Sequence, residues 1–98
     1  MHREPKLLKL AKGKACVMCY RDDGTVVAAH SNLLEHGKGM SMKAHDCMMA
    51  WLCMTCHSEV DQGKNLTKEE KRMFMLEAIC KTHIHMWEQG LVQVKGIK

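Results

Sequence analysis

Two cysteine pairs, Cys16 with Cys19 and Cys53 with Cys56, constrain this chain more than anything else in it. Each is a CxxC knuckle, and the stretch between them can double back as a hairpin so that the knuckles meet. Together they offer four thiolates at the corners of a tetrahedron, the arrangement zinc favours in closed structural sites. In a chain of 98 residues such a metal adds materially to what a small core can supply. Six cysteines would also fit a secreted disulfide scaffold, but the opening MHREPKLLKL holds no apolar run of signal-peptide length. The expected setting is therefore a reducing cytoplasm, where knuckle cysteines are metal ligands rather than disulfide partners. Cys47 and Cys80 have no partner at ligand spacing and read as small apolar residues. No stretch approaches the roughly 20 apolar residues of a membrane helix, so no membrane partner is expected.

Around the knuckles the chain reads as one α+β domain. EPKLLKLAKG suits a short helix stopped at Gly13, and RDDG is a turn leading into TVVAAH, a strand ending at His30. Residues 31–45, rich in Gly, Ser, His and Lys, read as a long loop. A second strand is expected over Asp46 to Leu52, then, beyond Cys53 and Cys56, a short helix that begins at His57 and runs through Gln62. TKEE, Thr67 to Glu70, is a capping box that opens a long helix ending near Gly90. Met73, Leu76, Cys80, His83 and Trp87 recur along it at helical spacing and read as its core-facing stripe. LVQVK offers a short last strand. The parts are then a basic arm (1–14), a zinc-bound core (16–63) and a C-terminal helix with a strand (67–98).

The formal charge of +4 is unevenly placed. Arg3, Lys6, Lys9, Lys12 and Lys14 stand against Glu4 alone, and the remainder of the chain balances. A basic arm on a neutral body suits a polyanion such as DNA, because each phosphate contact releases condensed counterions. The plain alternative is a solvated, frayed terminus. Lys38 and Lys43, in the long loop, are further candidates for backbone contacts, or ordinary solvated lysines.

Once the tetrahedron has consumed four cysteines, His57 is left over beside it, and Asp61 lies one helical turn along. Together they can hold a second ion with open positions for water, which is coordination of the catalytic kind. Asp61 can equally serve as a helix-charge complement. Of the other histidines, His45 beside Asp46 reads as a third ligand, a phosphate contact or an exposed loop residue. His36 reads as loop surface, His83 as a satisfied stripe residue and His85 as exposed.

AAH at a strand end, GKGMSMKAHD in the loop and LCMTCHSEVD after it resemble an HNH, or ββα-metal, nuclease of the His-Me finger type. They are closest to the small prophage-encoded YbcO-like branch. The resemblance covers Cys16 to about Gly63. It implies a zinc-stabilised ββα core carrying an added C-terminal helix and strand, in a bacterial host cytoplasm. His30 matches the histidine that takes a proton from the attacking water, and His57 the metal-binding histidine on the helix. The aspartate that usually precedes the base is Ala29 here. The asparagine usual before LC falls near Met48, so the resemblance points to Asp46 as the nearby carboxylate, with Asp61 compensating.

Phosphodiester hydrolysis calls for these residue types independently. It needs a base that works near neutral pH and a cation that stabilises charge on the transition state and the leaving oxygen. Imidazole supplies the first, and Mg2+ or Mn2+ suits the mixed nitrogen and oxygen shell of the second. A strand-end histidine can also be no more than hydrogen-bonded packing. The competing reading of the whole chain is a non-catalytic zinc-ribbon module that binds nucleic acid or a phage protein.

Overall fold

Two four-residue strands hold the centre of the computed structural model, which describes residues 3–33 and 44–94. Lys38, Lys43 and His36 lie outside the described residues. In chain order the elements are α1 (Pro5–Lys9), β1 (Val27–His30), β2 (Met49–Leu52), α2 (Met54–Asp61) and α3 (Lys68–Glu88). The strands pair antiparallel, with Val27 opposite Leu52 and His30 opposite Met49. β2 is buried along its whole length, as expected for a strand covered on both faces, whereas Val27 on β1 is exposed.

The second strand starts at Met49 rather than Asp46. Met48 donates its amide to the His45 carbonyl at 2.9 Å, closing a turn, and the Asp46 side chain is engaged by the N-terminal arm. That arm is folded back. Leu7, Leu8 and Leu10 pack against the core and Ala11 is buried within it, so the basic segment is a docked helix followed by a left-handed stop at Gly13 (φ 79°).

α3 begins with the expected capping box: Thr67 Oγ1 accepts from the Glu70 amide at 3.1 Å, and Glu70 Oε1 accepts from the Thr67 amide at 2.8 Å. Its buried face is a different one from the expected stripe. Met75, Ala78, Ile79, Thr82 and Met86 face the sheet, while Met73, Cys80 and Trp87 are exposed and Leu76 and His83 half-buried. Both stripes have helical spacing, so periodicity alone does not choose between them. Small residues and one hydrogen bond decide. Ala78 and Thr82 allow α3 to approach β2 closely, and Thr82 Oγ1 accepts from the Trp51 amide at 3.0 Å while donating to the Ala78 carbonyl at 2.8 Å.

Thr82→Val keeps the shape but strands the buried Trp51 amide, so unfolding free energy is expected to fall by about 1–3 kcal/mol. Chemical denaturation with an unchanged midpoint would show that the hydroxyl is not what seats the helix.

The last strand is not formed over Leu91–Val94. Gly90 adopts φ 69° and the Leu91 amide returns to the Met86 carbonyl at 2.9 Å, while the Gly90 amide reaches Trp87 at 3.2 Å. This is a Schellman cap, which consumes the amide that a strand would need. Leu91 and Val92 then pack against the core as a tail.

Candidate metal centre and active site

The two knuckles are built differently and meet at the sheet. In the first, the Cys16 carbonyl accepts from the Tyr20 amide and the Cys16 amide donates to the Arg21 carbonyl, both at 2.9 Å. Tyr20 takes a left-handed φ of 64° to close this turn. The Val17 amide donates to the Trp51 carbonyl at 3.0 Å, tying the knuckle to β2. In the second, Cys53 is the N-cap of α2, its sulfur accepting from the Cys56 amide at 3.5 Å.

The result is convergence of the four expected sulfurs. Cys16, Cys19, Cys53 and Cys56 Sγ atoms all lie within 4.8 Å of one another, and Cys19 and Cys53 are 3.5 Å apart. A tetrahedron with zinc–sulfur bonds of about 2.3 Å has sulfur–sulfur edges of about 3.8 Å, so the cluster can hold a metal such as zinc with small adjustments. All four cysteines are free thiols. Burial raises the Cys16 thiol, but the amides of Cys19, Cys53 and Met18 outweigh it and bring it down to about 7. Burial pushes Cys53 and Cys56 up; the three neighbouring thiols add to the rise at Cys56, whereas at Cys53 those of Cys19 and Cys16 add to it and Cys56 opposes it. Four thiolates this close cannot all ionise without a cation among them.

Cys47 and Cys80 stand outside the cluster. Cys47 is half-buried and Cys80 is exposed rather than packed in the core. His83 Nε2 donates to the Cys47 carbonyl at 2.7 Å, as a satisfied residue would. His85 is half-buried rather than exposed, its ring stacked on Trp51 at 6.5 Å between centroids.

A second constellation forms at the end of β1. His30 Nε2 lies 2.9 Å from Asp46 Oδ1. Arg3 Nη1 reaches the same oxygen at 3.1 Å and also donates to the Ala44 carbonyl, while the Glu4 amide donates to Asp46 Oδ2 at 2.6 Å. Burial alone would raise the Asp46 pKa, but the His30 contact, the Glu4 amide and the Arg3 guanidinium outweigh it and hold the carboxyl down at about 2. An ionised carboxylate can only accept, so His30 Nε2 donates to it, and in the neutral imidazole the lone pair is then on Nδ1. His30 keeps 17% of its side-chain surface exposed. Arg3 and the Glu4 amide are parts that sequence reading missed. Arg3 was visible only as one charge of the arm, and nothing local says that the arm folds back 43 residues in sequence onto Asp46.

His57 sits half-buried at the close of the first turn of α2, its amide bonded to the Cys53 carbonyl at 2.9 Å. Asp61 is exposed at the end of that helix, where Oδ1 accepts from Asn32 Nδ2 at 2.9 Å. Among the described residues the four thiols are the one set of three or more metal-ligating side chains that converges. His57, Asp46 and Asp61 do not come together as a threesome. Of the arm lysines, Lys6, Lys9 and Lys12 are exposed. Lys14 instead donates to Gln89 Oε1 at 3.2 Å and lies 5.9 Å from the centre of the Trp51 ring. None of the described helices is long and apolar enough to cross a membrane.

The family model described as "Putative nuclease YbcO" matches residues 5–91, nearly the whole chain. The chain belongs to the YbcO family. Membership indicates a nuclease with nucleic acid as its substrate, and the matched span takes in the thiol cluster, the His30–Asp46 pair and all of α3. No curated protein and no solved structure gives a significant match.

Proposed function

We propose that this protein is a metal-dependent DNA endonuclease of the HNH type, of phage or prophage origin, in which β1, β2 and α2 form the ββα-metal unit. Structural zinc on Cys16, Cys19, Cys53 and Cys56 clamps the start of α2 to the hairpin. The observation that carries the reading is the His30–Asp46 pair, a strand-end imidazole fixed in one tautomer by a buried ionised carboxylate. Fixed that way, His30 Nδ1 is the atom that takes a proton from an attacking water. Asp46, expected as a metal ligand, is in this reading the group that orients the base, and Arg3 holds Asp46 in turn.

A divalent ion, Mg2+ or Mn2+, held by His57 with water and carboxylate help from Asp61, would supply positive charge to the transition state and the leaving oxygen. The exposed face of α1, with Lys6, Lys9 and Lys12, grips the DNA backbone away from the reacting bond.

The deciding experiment is cleavage of plasmid, single-stranded and branched DNA with Mg2+, Mn2+ or EDTA, with zinc content measured in parallel so that loss of the cage is not mistaken for loss of the catalytic ion. Cleavage that requires the added metal, and disappears in His57→Ala while zinc is retained, supports the reading. Binding without cleavage of any substrate leaves the zinc-ribbon module instead. Ala29 favours that second reading, since the aspartate position of the HNH pattern is a buried methyl here.

Asp46→Asn is expected to lower the cleavage rate by about two to three decades through loss of the tautomer lock. Since the Asp46 charge is lost only as pH falls towards about 2, the acid limb of the activity profile of the parent belongs to other groups. Unchanged turnover in Asp46→Asn at saturating DNA would remove Asp46 from the machinery.

A further inference from the structure

The face of α3 turned away from the sheet carries an apolar stripe. Met73, Leu76, Cys80, Ile84 and Trp87 fall within about 80° of arc at 100° per residue, and Met73, Ile84 and Trp87 are 59%, 56% and 53% exposed. A soluble chain that spends three large apolar side chains on one exposed helix face has a reason for it.

The spacing of the stripe says what covers it. The steps from Met73 to Trp87 are three, four, four and three residues, a pattern that reads the same in both directions about Cys80. We propose that this stripe is the interface of a homodimer in which two α3 helices pack antiparallel about a two-fold axis at Cys80. The axis places Met73 opposite the partner copy's residue 87 position, Leu76 opposite its residue 84 position, and Cys80 opposite itself. Such an isologous contact needs a surface that is its own complement.

Two further features meet that need. At the N-terminal end of the stripe Leu66, Met73, Phe74 and Leu76 form the apolar floor of a 670 Å3 groove that Glu69, Glu70 and Glu77 also line and that reaches Cys80, and at the other end Trp87 projects as a bulky knob. They are about 21 Å apart along the helix, at 1.5 Å per residue, and the axis lies midway between them. Each tryptophan therefore enters the groove of the other copy. On one flank Glu77 and Lys81, already 3.8 Å apart within the helix, straddle the level of the axis, so each glutamate also meets the lysine of the other copy. Antiparallel helices oppose their dipoles favourably as well. The thiol cluster and His30 lie on other elements, so dimerisation through this stripe is independent of the nuclease reading.

The test is the mass of the full-length, zinc-loaded chain by sedimentation equilibrium up to about 100 μM, where a Kd near 10 μM already gives mostly dimer. The expected mass is twice the 11.2 kDa of one chain. Ile84→Glu with Trp87→Glu is expected to weaken the dimer at least about 100-fold, with zinc content and circular dichroism unchanged. If that variant does not fold, Ile84→Lys alone gives the same readout at a single exposed position.

Orientation is tested by charge compensation. Met73→Glu and Trp87→Lys should each weaken association, and the two combined in one chain should restore much of it, because antiparallel packing sets each against the other. A monomeric parent overturns the proposal, as does a dimer insensitive to these variants or a double variant weaker than either single one.

Discussion

Cys53→Ser is expected to abolish the folded state under conditions where the parent is stable, and to lower zinc well below one per chain. Serine is chosen because it isolates the metal. Cys53 is the N-cap of α2 and its sulfur accepts from the Cys56 amide, a task that serine performs at least as well. What serine removes is one thiolate of four. Structural zinc supplies about 10–16 kcal/mol in small zinc domains, while a domain of this size has a total stability of only about 5–15 kcal/mol. Losing the ligand thus removes more than the remainder of the fold can offset. Cys47→Ser and Cys80→Ser, outside the cluster, are the controls and should change stability by no more than about 1 kcal/mol. Full zinc content and unchanged melting in Cys53→Ser would sink the four-cysteine assignment.

The thiol cluster was legible because CxxC spacing is local: two residues between ligands fix a turn, whatever the remainder of the chain does. The capping box at Thr67 and the stop near Gly90 were legible for the same reason, since each is decided within a few residues. Failures came where the answer depends on contacts distant in sequence. α3 carries two stripes at helical spacing, and only the docking of Thr82 on the Trp51 amide selects the inner one. The stripe read as core is the outer one, where Cys80 and Trp87 are exposed. Leu91 has strand-forming neighbours, but the cap at Gly90 takes its amide first.

Asp46 shows the same limit at the candidate site. Its chemistry is plain from its type, yet its partners, Arg3 and the Glu4 amide, come from the far end of the chain. A carboxylate near two histidines reads as a metal ligand until those partners are known. With them in place, the proposed function makes it the group that fixes one histidine's tautomer.

His30→Ala is expected to silence cleavage while leaving DNA binding nearly intact. The general-base contribution is about two to four decades of rate, and removing the imidazole leaves Asp46 held by Arg3 and the Glu4 amide, so the local structure has reason to survive. The arm gives the opposite phenotype. Lys6, Lys9 and Lys12 are exposed on or just after α1, and each phosphate contact adds about 0.9 to the slope of log affinity against log salt on duplex DNA. Neutralising all three should flatten that slope by up to about 3 and weaken binding, with cleavage still measurable at saturating enzyme in low salt. Lys14 is left out of this variant on structural grounds, because its contacts with Gln89 and the Trp51 ring tie the end of the arm to α3. The two phenotypes together separate gripping from cutting. If His30→Ala loses binding along with cleavage, His30 is a packing residue and the site lies elsewhere. An unchanged salt slope in the arm variant means instead that α1 is only a solubility and docking element, and that the DNA is held by another surface.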